Sequence, residues 1–332
     1  MKPYLVDVPV KINIWIREEC QKKQFEIIKK ARPSVLFIQS DGGRNSEEWN
    51  AINNNRRMIE ENIDWECTVH KIYEDSNLGL YAMGKKRNDL IWGIVDRCIF
   101  LEDDQIPSVS YFRFCAELLE KYKDDERIEC ICGMNHLEKY NECSSDYFFS
   151  RQGAIWGMAT WKRVADEWKD FSYGQDPYVM NLLKKGTKNN PMIWKRLKAY
   201  SHKDLYEGHV AASEFFIEFD MYAKNRLQIV PKYNLISNIG ATSNASHADD
   251  FNLLPRGIRQ VFGMPLYELE FPLKHPRYVI PDVIYEKRRN KIMGYNEPLV
   301  QFERTIERGW LLIKNGKIKK IFSKLSKTKT EN

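Results

Sequence analysis

Along the first half of the chain, apolar and polar positions switch repeatedly between two periods. Residues 12–16 read as a short apolar strand, 18–31 carry the three-to-four spacing of an amphipathic helix, and 34–39 form a second strand that closes on Asp41-Gly42-Gly43-Arg44. A polar helical stretch at 47–62 leads to a strand at 67–73, a turn at Asp75-Ser76-Asn77-Leu78-Gly79, a helix to about residue 95 and a strand at 99–101. Helical spacing returns at Phe112, Cys115, Leu118, Leu119 and Tyr122, and the apolar run 128–132 opens onto Gly133-Met134-Asn135-His136. Strands spaced by helices pair in parallel, so the pattern predicts an α/β fold with a mostly parallel, Rossmann-like sheet flanked by helices. Beyond residue 136 the alternation weakens into an aromatic-rich stretch, Tyr147-Phe148-Phe149 through Trp156-Gly157 and Trp161, and a mixed region to His247.

Composition narrows the class. The 332 residues are 43% hydrophobic and 30% charged, enough for a substantial core, and no apolar run reaches the roughly 18 residues of a membrane span. The start lacks the apolar segment of a secretion signal, so a cytoplasmic protein is the default expectation. Seven cysteines without CxxC spacing read as reduced thiols. A net charge of +6 that lies largely in the last twenty residues does not suggest a nucleic-acid protein.

The strand at 99–101 runs straight into Glu102, Asp103 and Asp104. Ligands of open parallel sheets collect at the carboxyl ends of strands, where acids can hold a divalent cation and through it a diphosphate. A solvated acidic turn accounts for this strand and its three acids equally well; the remaining motifs decide between the two.

Their order does so. Asp41-Gly42-x-Arg44, Asn77-Leu78-Gly79, Leu101-Glu102-Asp103-Asp104 with Pro107, Trp156-Gly157-x-Ala159-Thr160-Trp161, and Asn234-Leu235-Ile236-Ser237-Asn238-Ile239-Gly240 follow one another between about Val10 and Asp249. This succession resembles bacterial glycosyltransferases of the GT-A type. It is also similar to the nucleotide-diphospho-sugar transferases related to N-acetylglucosaminyltransferase I, whose metal motif is likewise Glu-Asp-Asp.

The resemblance implies a GT-A sheet, a UDP-sugar donor, and Mn2+ or Mg2+, ions that suit oxygen ligands and phosphate. It implies that Asp104 ligates the metal while Glu102 and Asp103 face sugar and ribose hydroxyls, with His247 as a second ligand. Asp41, beside Gly42, would accept from the uracil N3–H, and Arg17 and Arg44 would contact ribose or phosphate. Asn77 and Gly79 open a helix whose N–H groups suit a nucleotide. Trp156 and Gly157 would line the cleft, with Arg151 nearby.

An inverting transfer needs a carboxylate to deprotonate the acceptor. Glu214, Glu218 and Asp220 compete for that role, and counting back from Pro231 selects Glu214. The expected divisions are a nucleotide-sugar half at 1–105, an acceptor half at 106–255 and a C-terminal extension at 256–332. Trp310, Leu311, Leu312, Ile313, Ile318, Ile321, Phe322 and Leu325, interleaved with seven lysines, form a basic amphipathic pattern over 310–329. It suits an anionic membrane face, with a saccharide or lipid-linked saccharide as acceptor in bacterial surface-glycan assembly. A sugar nucleotidyltransferase shares the sheet and acids, although Trp15-Ile16-Arg17-Glu18-Glu19 is not its glycine-rich loop. A non-catalytic glycan-binding protein of the same fold is the remaining alternative.

Overall fold

The first strand, β1 (Val6–Ile14), turns Val8, Val10, Ile12 and Ile14 onto one face and buries them completely or nearly so. It begins six residues before the apolar run that announced it. Asp7 and Lys11 interrupt the hydrophobic pattern, yet Lys11 is only 1% exposed because the opposite face of the strand is covered too. The computed structural model describes residues 1–168, 172–188, 191–199, 201, 213–241 and 251–317.

The expected alternation follows: α1 (Glu18–Ala31), β2 (Pro33–Ser40), α2 (Ser46–Glu61), β3 (Thr68–Tyr73), α3 (Leu80–Ile94) and β4 (Arg97–Leu101). Arg32 adopts the left-handed conformation (φ 47°) after α1, and Pro33 then prevents the helix from continuing. Asn45 caps α2 by accepting from the Glu48 N–H at 2.9 Å. Next come β5 (Gln105–Pro107), α4 (Ser110–Lys121), β6 (Ile128–Cys132), β7 (Tyr147–Ser150) and β8 (Met158–Trp161). The remaining elements used below are α8 (Ser213–Ala223), β9 (Leu227–Pro231), β10 (Ile236–Asn238), α10 (Val283–Met293) and α11 (Pro298–Lys314), preceded by α5 (Lys162–Ala165), α6 (Pro177–Gly186) and α7 (Pro191–Ala199), with α9 (Arg256–Arg259) between β10 and α10.

Eight strands form one sheet in the order β3-β2-β1-β4-β8-β6-β9-β7. The pairs β3/β2, β2/β1, β1/β4 and β6/β9 are parallel, whereas β8 and β7 run against their neighbours. The sheet is therefore mixed and mostly parallel, flanked by helices. Its main core lies on the face covered by α1, α2 and α4, and a second cluster around Phe37, Ile91, Trp92 and Cys98 joins α3 to the opposite face.

From β1 the chain moves outward to β2 and β3, then returns to place β4 on the other side of β1. That reversal opens a crevice at the carboxyl ends of β1 and β4, the place where such sheets receive ligands. A separate two-stranded sheet, β10 against β5 with Asn238 opposite Gln105, ties residues 236–240 to the same edge. Among the described residues no helix is long and apolar enough to cross a membrane.

Candidate functional site at the ends of strands one and four

Arg17 leaves the end of β1 and reaches the turn after β4. Its Nη2 and Nε donate to the two Asp103 oxygens at 2.7 and 2.9 Å, and Nη1 donates to Asp104 Oδ2 at 3.1 Å. These side chains are 11–14% exposed, so the pairing is shielded from water on most sides. Burial works against the Arg17 charge, but the hydrogen bond and charge of Asp103 outweigh it and hold the guanidinium above its usual range.

Asp104 has fewer cations to itself. Burial and the neighbouring Asp103 charge push its carboxyl up, against the pull of Arg17. Its Oδ1 accepts from Asn238 Nδ2 at 3.2 Å, and its backbone carbonyl accepts from Ile239 N at 2.9 Å. Gly240 completes the cradle: a Cβ there would run into Asp104 Oδ2 and the Arg17 guanidinium, so only glycine permits this approach. The Asn238-Ile239-Gly240 motif is thereby explained as packing against the acid turn.

The turn is also held from beneath. Gln24, buried on α1, donates through Nε2 to the Glu102 carbonyl at 2.5 Å and the Gln105 carbonyl at 2.7 Å. Gln105 Nε2 donates to Glu102 at 3.2 Å, while its Oε1 accepts from Gly157 N at 3.0 Å. Gly157 sits at φ +61°, and a Cβ there would strike Ile236 and Tyr111. Trp156 and Gly157 are thus linked to the acids through one buried amide side chain.

Asp41 and Asn77 are brought together as a loop lock. The Asp41 carboxylate accepts from the N–H groups of Gly42, Leu78 and Gly79 at 2.8–2.9 Å, and Asn77 Nδ2 donates to the Gly42 carbonyl at 2.8 Å. A side chain at Gly42 would collide with the Ser76 backbone. Asp41 therefore spends its oxygens first on shaping this loop, and any bond to a base comes after. Arg44 points elsewhere: it is 62% exposed, pairs with Glu48, and lies 5.5 Å over the Trp15 ring.

Lys11, Gln24, Gln39 and Gln105 carry no motif, and pattern reading passed over them. Lys11 lies in the middle of β1 and donates to Asn13 Oδ1. Burial and the nearby Arg87 hold its ammonium well below the usual range, with Glu102 and Asp103 opposing. Gln39, one strand over, is 7% exposed and its Oε1 has no hydrogen-bond partner. The one available signal was a lysine in the middle of a strand.

The rival bases separate. Asp220 is buried in an ion-pair cluster with Lys224 at 2.9 Å and Arg226 at 3.6 Å, so its role there is structural. Glu218 pairs with Arg196 at the edge of a cavity. Glu214 lies on α8 one turn before Glu218, and its side chain is outside what the structure describes. His247 lies outside the described residues altogether.

Among the described residues no cluster of three His, Cys, Asp or Glu side chains converges. A hard divalent ion of the Mg2+ type needs less: one or two carboxylates, with water and phosphate oxygens supplying the rest. Asp104, a buried carboxylate whose charge Arg17 only partly offsets, fits that description.

No protein-family model matches the chain, and no curated protein matches it. Among solved structures it is similar to a UDP-glucose pyrophosphorylase complexed with UDP-glucose, with a TM-score of 0.34 and 11% identity over 69% of this chain and 91% of that one. It is likewise similar to mouse xyloside xylosyltransferase 1 in its apo form, with a TM-score of 0.33 and 12% identity over 67% of this chain and 84% of the other.

Proposed function

We propose that this chain is a glycosyltransferase that moves a sugar from a nucleoside-diphosphate donor, UDP-linked, to a saccharide hydroxyl. The observation that carries the reading is the Arg17–Asp103–Asp104 assembly at the crevice between β1 and β4. In this reading residues 1–105 hold the donor, 106–255 receive the acceptor, and 256–332 form an extension.

Cleavage of the glycosidic bond leaves negative charge on a diphosphate, and a divalent ion on Asp104 would neutralise part of it. Asn238 and the Ile239 N–H orient the Asp104 turn. Arg17 keeps Asp103 in place, and Glu102, exposed beside it, would accept from donor hydroxyls. Glu214 is the proposed base for an inverting transfer, with Glu218 as its rival one turn on. Near-normal turnover in Glu214→Gln with intact donor binding would move the role to Glu218.

The nucleotidyltransferase alternative is separated by products. Thermal stabilisation by a panel of nucleotide sugars, with and without Mn2+, followed by assay for free nucleoside diphosphate, distinguishes the classes. Metal-dependent release of UDP from a UDP-sugar supports transfer; no stabilisation by any nucleotide sugar sinks both enzyme readings and favours a non-catalytic glycan binder.

Peripheral membrane contact belongs to the same proposal. On α11, Leu299, Phe302, Ile306, Trp310 and Ile313 are 56–78% exposed at helical spacing, and the chain beyond Lys317 is lysine-rich. Such a stripe beside basic residues suits an anionic bilayer surface that carries a lipid-linked acceptor. The full chain should pellet with anionic vesicles more than a chain ending near Tyr295; equal pelleting removes this part.

A further inference from the structure

A cavity of about 260 Å³ opens beside Trp156. Its described lining comes from residues 134–136, 151–156, 193–196, 217–228, 258–262 and 289–293, and none from the first 105 residues. Of the residues singled out from the sequence, Arg151, Trp156 and Glu218 are among the described lining, and none of the predicted donor residues of the first 105 is.

Its described lining is richer in cations than in acids. Arg151, Arg196 and Arg289 stand there with one carboxylate, Glu218, which pairs with Arg196, while Glu286 lies behind Arg151 and accepts from its backbone N–H at 2.6 Å. Arg196 and Arg289 both lie over the Tyr295 ring, at 5.4 and 5.0 Å, which fixes their planes without supplying a counter-charge. Arg289 is 9% exposed, and its recorded hydrogen bond is a long one, 3.4 Å, from Nη2 to the Gly153 carbonyl.

The hydrogen-bonding account is equally incomplete. Buried polar atoms without a partner include Arg151 Nε, Arg196 Nε, Arg289 Nε, His136 Nδ1 and Gln152 Oε1, and all five residues line this cavity. His136, Gln152 and Arg289 are each at least nine-tenths buried. Burial and the Arg289 charge hold His136 well below its usual range, so the imidazole stays neutral and adds no charge of its own. Buried polar groups are rarely left unpaired, and a guanidinium is a fork of donors matched to a planar or tetrahedral oxyanion. The rest of the wall is apolar, with Trp156 and Phe262 in contact (5.2 Å between centroids).

We propose that this cavity binds a saccharide bearing an oxyanion, a carboxylate or a phosphate, as the acceptor of the reaction. Arg289 and Arg151 take the anion, Gln152 Oε1 accepts from a sugar hydroxyl, and Trp156 packs against the ring. As an acceptor site this rests on the transferase reading above; as an anion site it does not. Glu218 and the helix that carries Glu214 border the same space.

The test is calorimetric titration of the full chain with glucuronate, glucose 6-phosphate and glucose at constant ionic strength, with UDP as the probe of the other site. One or both anionic sugars should bind and glucose should not, and which of the two binds names the source of the charge. Arg289→Gln and Arg151→Gln should each weaken that binding by about 10-fold or more, the loss expected for one charge-assisted hydrogen bond, and leave UDP binding unchanged. Anionic sugars binding the wild-type chain no better than glucose would overturn the proposal. So would full affinity in either variant at an unchanged melting temperature. A wild-type chain that binds an anionic sugar but never UDP would instead sink the donor site and leave this one standing.

Discussion

Arg17 holds Asp103 with two hydrogen bonds of 2.7 and 2.9 Å and spares one, at 3.1 Å, for Asp104. The two adjacent acids are therefore unequal. Asp103 is neutralised by a cation of the protein's own, and Asp104 is left with charge to offer.

Replacing each acid by alanine should expose that difference. Asp103→Ala leaves the mostly buried Arg17 charge with only its 3.1 Å contact to the Asp104 carboxylate and should cost stability on the order of 3 kcal/mol. Asp104→Ala should cost less stability and remove Mn2+-dependent stabilisation by UDP. Thermal melts with and without UDP and Mn2+ separate the two effects, and equal losses in both variants would dissolve the division.

Gly240→Ala forces a methyl group against Asp104 and Arg17. We expect a stability loss of about 1–3 kcal/mol from overpacking. UDP binding should weaken as well, since the clash falls on the proposed ligand itself. A variant with wild-type UDP affinity would show that the 238–240 segment is not part of the donor site.

Gln105→Leu leaves the buried Gly157 N–H without its acceptor. The loss should be about 1–3 kcal/mol, the usual cost of one buried unpaired group. Since Gly157 falls in the half proposed to receive the acceptor, kcat should fall more than donor affinity once turnover is measured. An unchanged ratio of the two would mean that the Gln105 bridge supports the fold alone.

Glu129 gives a pH prediction. It is fully buried beside Arg226 and Trp168, and burial together with the Asp220 charge pushes its carboxyl up from 4.5 to about 8. The folded chain therefore holds this proton more tightly than the unfolded one. The stabilisation it contributes is complete below about pH 4.5 and is lost as pH rises toward 8. Glu129→Gln, a mimic of the protonated form, should flatten that slope when melting temperatures are compared from pH 5 to 9. Parallel curves for the two proteins would mean that Glu129 is ionised throughout, paired with Arg226.

Much of the first half was legible because periodicity is a local property. Helix α1 falls where its apolar spacing placed it, and the strand at 128–132 is β6 to the residue. The acids at the end of β4 could be set at a strand end for the same reason, since a short apolar run that stops at charged residues has few other fates. The first strand was read late because Lys11 looks like a surface residue, and only the covering of both sheet faces buries it. Two antiparallel strands, β7 and β8, were also beyond pattern reading: strand direction depends on partners 26 to 84 positions away in sequence.

Sequence by itself determined the alternation of elements, the acidic turn and the order of motifs around it. Tertiary structure decided what each acid does, because Arg17 lies 86 residues from Asp103 and Asn238 lies 134 from Asp104. Those distances in the chain vanish only when the strand order reverses at β1 and the short β5/β10 sheet closes over the turn. The arginine cavity has the same origin: Arg151, Arg196 and Arg289 carry no shared spacing, and packing alone brings their charges around one space.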